Sequence, residues 1–179
     1  MHSRTRELRE YLDEQRSVLR AAFDAVPAPL RDRAPAAGRW STAAIIEHLA
    51  IVEARVSARL SALISEARLR GLGAELSTEP VLPTINVGQV VDRRTRLTAP
   101  EAIQPTGLNA EAAWTALEEA GKGVRDLMNA SDGLALGTVS MPHPVFGPSS
   151  AYHWFAFVGA HEARHAAQIR EIADVVTTD

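Results

Sequence analysis

The sequence predicts an all-α protein, a four-helix bundle with a long crossover between its second and third helices. Four segments repeat apolar residues at the i, i+3, i+4 spacing of a helix with one buried face. Proline and glycine separate these segments, and no set of alternating residues indicates a sheet. The chain has 179 residues, enough to bury one substantial core, so residues 1–179 are expected to form a single domain.

The first two helices are bounded by residues that stop or cap a helix. The first is expected at about residues 5–26, with Pro27 directly after it, because proline cannot continue a helix interior. The second is expected at about residues 41–69, since Ser41 is a residue type that caps N-termini well and Gly71 follows the last turn.

A crossover of about residues 71–108 leads from the second helix to the third. A connection of this length is typical of bundles whose successive helices are not all antiparallel neighbours. It contains several prolines but is too hydrophobic for a flexible linker, so we expect it to pack over the bundle, with a short helical piece at about residues 87–94. The third helix is expected at about residues 109–129, with Asn109 as its N-cap.

The fourth helix is expected from Ser149 or Ser150 to about residue 175, and a segment dense in turn-forming residues, 137–148, precedes it. The simpler interpretation of that segment is a rigid connecting loop. The alternative is that His143 and Phe146 of this loop, with Trp154 of the helix, lie at the mouth of a pocket.

The fourth helix carries the motif His161-Glu162-Ala163-Arg164-His165. Two histidines four residues apart lie about 40° apart around a helix, so both imidazoles can reach one metal ion. The motif is typical of zinc proteases, in which the glutamate is the general base. Because catalytic zinc commonly takes three protein ligands and a water, the position of the third ligand decides what kind of site this is.

A zinc protease would take its third ligand from downstream. One class continues with a glycine and a histidine, but Gln168 and Glu171 hold those positions here. The other class uses a later glutamate, and only Glu171, Asp174 and Asp179 remain, with no room for another helix. A metalloprotease is therefore not expected. Glu162 is a weak candidate base, and the favoured interpretation pairs it with an arginine of a neighbouring helix.

The third ligand is therefore sought upstream, where His2, His48, His143 and His153 are available. His48 lies within the apolar stripe of the second helix, and a buried imidazole needs a polar partner. One interpretation is that His48 forms a hydrogen bond with a core carbonyl or acid. The other is that it is the third metal ligand, and the histidine pair in the same small chain favours this second interpretation. An all-imidazole site suits zinc or nickel, and also copper and iron.

Composition excludes several classes of function. The net charge is −3 and the chain has no cysteine, which excludes disulfides, thiolate metal sites and a cysteine nucleophile. The basic residues are interleaved with acids, so no nucleic-acid surface is expected. We find no leader-like segment and no apolar run of about 20 residues, so neither export nor membrane insertion is expected, and the cytoplasm is the expected location.

Several short motifs, in their order and spacing, resemble the DinB-like (DinB/YfiT) superfamily of metal-dependent four-helix-bundle proteins. The resemblance covers about residues 5–172. The matching residues are Trp40-Ser41, Glu47-His48-Leu49, Ala99-Pro100 with Pro105, Phe146-Gly147-Pro148, Trp154 and His161-x-x-x-His165-x-x-Gln168-Ile169.

The resemblance implies that His48, His161 and His165 bind a divalent metal. Relatives in this superfamily include thiol S-transferases and isomerases that use low-molecular-weight thiols, so we expect a metal-dependent enzyme with a thiol S-transferase or related activity. The thiol would arrive as a cosubstrate. The alternative is a non-catalytic metal-binding or stress-associated bundle. A homodimer is also expected, because soluble oligomers are commonly two-fold pairs.

Histidine ligands usually donate their second ring N–H to an acid or a carbonyl. Glu53, Asp92 and Gln168 are candidate partners that the sequence does not rank. Glu47 is a poor candidate for His48, because adjacent residues on a helix point about 100° apart.

Overall fold

The computed structural model describes residues 1–94 and 98–177, so residues 95–97 of the expected crossover, and Asp179, lie outside the described residues. Within these residues the predicted four-helix bundle is confirmed, and the fifth, short helix lies in the crossover. The helices are α1 (Ser3–Ala25), α2 (Thr42–Leu69), α3 (Val87–Val91), α4 (Ala110–Ala130) and α5 (Ala151–Val176).

The long helices begin where the sequence provides a side-chain cap. The Ser41 hydroxyl accepts a hydrogen bond from the backbone N–H of Ala44, and Asn109 caps α4 in the same way. Ser150 caps α5, which settles the choice between the two serines at that end. Each cap satisfies one of the N–H groups that the first turn leaves without a helical partner.

The helices pack in two pairs, with α1 along α5 and α2 along α4, and the two pairs meet mainly where α2 contacts α5. Helix α3 packs on α5, so the crossover lies over the bundle as expected. No helix in the described part of the chain is long and apolar enough to span a bilayer.

The segment before α5 is not the strand-free connector that the sequence predicts. It forms an antiparallel hairpin of β1 (Ser140–His143) and β2 (Gly147–Ser150), with a turn at residues 144–146. The turn leads into Gly147, whose φ of 68° suits glycine. Pro142 and Pro148 face each other in the ladder. Proline has no N–H for a ladder and is uncommon within strands, so a segment with two prolines does not have the pattern that predicts a strand.

The core is divided into two apolar clusters by a layer of charged residues. Along each helix, residues of one cluster precede this layer and residues of the other follow it. The first cluster includes Phe23, Ile46, Leu117 and Ile169, and the second includes Leu12, Leu60, Met128 and Phe155. Between them lie Arg16 of α1, Glu53 of α2 and Glu162 of α5, which we call the ionic layer.

Arg16 holds the ionic layer together. Its Nη2 donates to both carboxylate oxygens of Glu53, at 3.0 and 2.8 Å, and to Glu162 Oε1 at 2.9 Å, while Nε donates to Glu162 Oε2 at 3.0 Å. Its Nη1 donates to the carbonyl of Leu117 on α4 at 3.2 Å. Helix α4 has Gly121 at this level, where a Cβ would lie 2.7 Å from Nη2. All four long helices therefore meet one guanidinium.

The ionic layer carries two acids for one base. Burial raises the pKa of Glu53 well above its ordinary value of 4.5, and the neighbouring Glu162 raises it further against the lowering effect of Arg16. The folded protein therefore holds a proton at Glu53 more tightly than the unfolded chain does. The resulting stabilisation is complete below pH 4.5 and is lost as pH rises toward the folded-state pKa.

We expect Glu53→Gln to flatten the loss of stability that the wild type shows as pH rises above 4.5. Glutamine resembles the protonated acid, because it can donate to Glu162 and accept from Arg16. Urea unfolding across a series of pH values measures the effect. Glu66→Gln, at an exposed ion pair of the same helix, is the control and should leave the slope unchanged. Parallel curves for wild type and Glu53→Gln would show that Glu53 does not titrate in this way.

Candidate metal centre

Three histidines from two helices converge beside the first apolar cluster. His48 lies in the first half of α2, and His161 and His165 lie one turn apart on α5. One ring nitrogen from each forms a group whose members all lie within 4.8 Å of one another. The structure thus brings together the pair on the motif and the upstream histidine that the sequence singled out.

The spacing of the ring nitrogens fits a single small cation. His161 Nε2 and His165 Nε2 are 3.0 Å apart, and two nitrogens bound to tetrahedral zinc at the usual length are about 3.3 Å apart. The His48 ring centre lies 5.1 Å from that of His161 and 5.2 Å from that of His165. Small side-chain adjustments would therefore suffice to place all three nitrogens on one ion.

His48 is oriented by a backbone carbonyl of the crossover. Its Nδ1 lies 2.7 Å from the carbonyl oxygen of Ile103, and because a carbonyl can only accept, Nδ1 carries the proton. The Nε2 lone pair is then free for a metal. The Trp40 ring, 4.9 Å from the imidazole between centroids, packs beside it.

His165 is oriented by Gln168, one of the three partners that the sequence left unranked. His165 Nδ1 lies 2.9 Å from Gln168 Oε1, and its Nε2 faces His161. The other two candidates have different partners, since Glu53 binds Arg16 and the Asp92 carboxylate binds Arg94. Ile103 was not predicted, because a backbone carbonyl has no signature in the sequence.

The imidazoles are held neutral at neutral pH. Burial and then proximity to His48 lower the pKa of His165 to about 3. Desolvation and the two neighbouring histidines hold the pKa of His161 well below its usual range, and burial also lowers the pKa of His48. Neutral imidazole is the form that binds metal, so an ion would not have to displace protons from these side chains.

Glu47 anchors the crossover that supplies the Ile103 carbonyl. Its side chain is 2% exposed and accepts four hydrogen bonds of 2.6–3.0 Å, from the hydroxyl and N–H of Thr106 and from the N–H groups of Gly107 and Leu108. Burial raises its pKa, but these hydrogen bonds outweigh that effect and lower it. As expected, Glu47 does not serve His48 directly, yet it fixes the segment that does.

His143, Phe146 and Trp154 form an aromatic cluster next to the histidines. The His143 ring centre lies 4.8 Å from that of Phe146 and 4.9 Å from that of Trp154. Phe157, which the sequence analysis did not assign to the site, joins at 4.8 Å from His143 and lies one turn before His161 on α5. Its four-residue spacing from His161 could have identified it. That the cluster lines a substrate pocket stays a prediction.

Glu162, the glutamate of the protease-like motif, lies in the ionic layer. Only 1% of its surface is exposed, and both carboxylate oxygens accept from Arg16. This is the arginine pairing that the sequence analysis favoured over a role as base. His153 lies outside the group of three histidines, with Nε2 3.4 Å from the hydroxyl of Thr84.

The fold and the histidine group define a helical-bundle protein with a candidate three-histidine metal centre. The chain belongs to the DinB superfamily, whose family model matches residues 11–169. It is similar to the uncharacterized protein YuaE of Bacillus subtilis (strain 168), with 24% identity over 149 residues, 79% of this chain and 82% of that protein. No solved structure matches the chain.

Proposed function

We propose that this protein is a divalent-metal-dependent enzyme that uses a low-molecular-weight thiol, with thiol S-transfer as its reaction. The observation that carries the proposal is the convergence of His48, His161 and His165, neutral and within 4.8 Å of one another. Zinc or nickel is the proposed ion, because both suit imidazole ligands.

A catalytic role is favoured over a structural one by the number of ligands. Structural zinc sites are usually closed by four protein ligands, whereas catalytic sites have three and leave a position for water or substrate. The group contains three histidines. His161 is only partly buried, unlike His48 and His165, so the proposed route for substrate is on the side of His161.

The proposed reaction takes its sulfur from outside the chain, which has no cysteine. The thiol loses its proton to solvent, a bond forms between sulfur and an electrophilic carbon, and the bond from that carbon to its leaving group breaks with the electron pair going to the leaving group. A bound divalent ion would favour the thiolate near neutral pH. The aromatic cluster of His143, Phe146, Trp154 and Phe157 would hold the apolar part of the electrophile.

We expect untagged protein, purified without added metal, to contain stoichiometric zinc or nickel by mass spectrometry. The variants His48→Ala, His161→Ala and His165→Ala should lose it, because two imidazoles hold an ion far less tightly than three. His153→Ala is the matched control, since this histidine is also on α5 but outside the group, and it should retain the metal.

Conjugation of a panel of low-molecular-weight thiols to chlorodinitrobenzene tests the reaction. The wild type should accelerate conjugation with at least one thiol, and chelation or His161→Ala should abolish the acceleration. Failure to bind either ion after reconstitution would refute the metal site. Metal binding without turnover of any thiol in the panel would refute the transferase and favour a non-catalytic metal-binding bundle.

A further inference from the structure

Arg93, in the crossover just after α3, reaches the helix that carries two of the histidines. Its Nε and Nη2 donate to the two carboxylate oxygens of Glu171, at 2.7 and 2.6 Å. Its Nη1 donates to Gln168 Oε1 at 3.2 Å. The bidentate contact with Glu171 sets the plane of the guanidinium, so the Nη1–H that reaches Gln168 has a defined direction.

The Gln168 amide has two ends of nearly the same shape and opposite hydrogen-bonding character. If its oxygen faces His165 Nδ1, that nitrogen must carry the proton and Nε2 keeps a lone pair. If its NH2 group faces Nδ1, the proton moves to Nε2, which then cannot bind a metal. The pairing of Gln168 with His165 therefore does not by itself select the tautomer that binds metal.

The guanidinium removes this ambiguity, because arginine has five N–H donors and no acceptor. The amide atom next to Arg93 must therefore be the oxygen, and the same oxygen lies 2.9 Å from His165 Nδ1. We propose that Arg93 is a positioning residue of the metal centre: by fixing the Gln168 amide, it holds His165 in the tautomer that presents Nε2. This inference rests on the metal site proposed above.

The segment before Arg93 is itself fastened to α5. Arg164 Nη1 donates to the carbonyl of Val90 at 3.1 Å and also to that of Asp92. The crossover thus determines the tautomers of two histidines, through Arg93 on one side and through the Ile103 carbonyl at His48 on the other. The parts of the site that select the metal-binding form lie outside the helices that carry the ligands.

The test compares Arg93→Gln with Arg93→Lys in metal-free, folded protein. Two-bond 1H–15N spectra of the histidine rings report which nitrogen carries the proton, and competition with a chelator measures zinc affinity. The glutamine amide introduced by Arg93→Gln can both donate and accept a hydrogen bond, so it does not fix the orientation of the Gln168 amide. We therefore expect mixed His165 tautomers and zinc binding weaker by about 10- to 100-fold. Arg93→Lys has only donors, so it should preserve the wild-type tautomer.

A second background separates amide orientation from a general structural effect. In Gln168→Glu both side-chain oxygens accept, so His165 Nδ1 is protonated whichever oxygen faces it. Adding Arg93→Gln to Gln168→Glu should therefore leave the tautomer unchanged. Arg94→Gln is the matched control, because this neighbouring arginine is 91% exposed and pairs with Asp92, and it should leave both readouts unchanged.

The inference is overturned if Arg93→Gln retains the wild-type His165 tautomer and zinc affinity. It is also overturned if the same loss appears in the Gln168→Glu background, since amide orientation would then not be the cause. A wild type that binds no zinc or nickel would refute the proposed site instead. The ring spectra would still show whether Arg93 sets the tautomer, so the two failures are distinguishable.

Discussion

Replacing Arg16 with methionine is expected to lower the free energy of unfolding by about 3–5 kcal/mol, the usual cost of removing one partner from a buried ion pair. The guanidinium donates hydrogen bonds to both Glu53 and Glu162, whose side chains are 2% and 1% exposed. Without it, two buried carboxyl groups lose the donor that they share. Urea unfolding at neutral pH measures the loss.

Two controls distinguish an uncompensated charge from lost packing. Arg9→Met, on the same helix, breaks an exposed hydrogen bond to Asn129 and should change stability by no more than about 0.5 kcal/mol. The triple variant Arg16→Met/Glu53→Leu/Glu162→Leu removes every charge in the layer and should recover most of the loss, because apolar replacements of buried ion pairs are often neutral or stabilising. A loss of less than about 1 kcal/mol in the free energy of unfolding of Arg16→Met would contradict the expectation.

Glu47→Ala is expected to destabilise the protein by at least about 3 kcal/mol, because it leaves several partly buried N–H groups without acceptors and each such group costs about 1–3 kcal/mol. It should also weaken zinc binding. Thr106, Gly107 and Leu108 would no longer be fixed on α2, and the Ile103 carbonyl that orients His48 precedes them by a few residues. Thermal unfolding and chelator competition measure the two effects.

Glu66→Ala is the appropriate control, since Glu66 is an exposed glutamate of the same helix paired with Arg70. Glu66→Ala should change the free energy of unfolding by no more than about 0.5 kcal/mol and should leave zinc affinity unchanged. If Glu47→Ala lowers stability but leaves zinc affinity unchanged, then Ile103 remains in place without its anchor. The proposed link from Glu47 to the metal centre would then be wrong.

The helices and the pair of histidines on α5 could be predicted because their signals are local. Ser41 and Asn109 satisfy the N–H groups of the turn that directly follows them, and His161 and His165 share a face through helix geometry alone. His48 could be singled out because a histidine in an apolar stripe requires a partner. What it meets depends on how α2 packs against α5, which the repeat of apolar residues does not specify.

The remaining parts of the site depend on contacts between residues far apart in sequence. Ile103 acts through its backbone, and Arg93 looks like any arginine of a polar segment until its contact with Gln168 is known. The hairpin before α5 was missed because its prolines conceal the strand pattern. Arg16 and Glu53 left a usable signal, since each interrupts an apolar stripe in mid-helix, where a charge calls for a partner on a facing helix.

The ionic layer also restricts how far each helix can slide along its neighbours. Apolar side chains would tolerate a slip of α2 by one turn, about 5.4 Å, because one aliphatic contact can replace another. Such a slip would bring Leu49 or Ser57 to the guanidinium in place of Glu53, leaving the Glu53 carboxyl group buried without its hydrogen-bond donor. It would equally carry His48 away from His161 and His165. The glutamate that gives the motif its protease-like appearance thus sets the axial register in which three histidines from two helices meet.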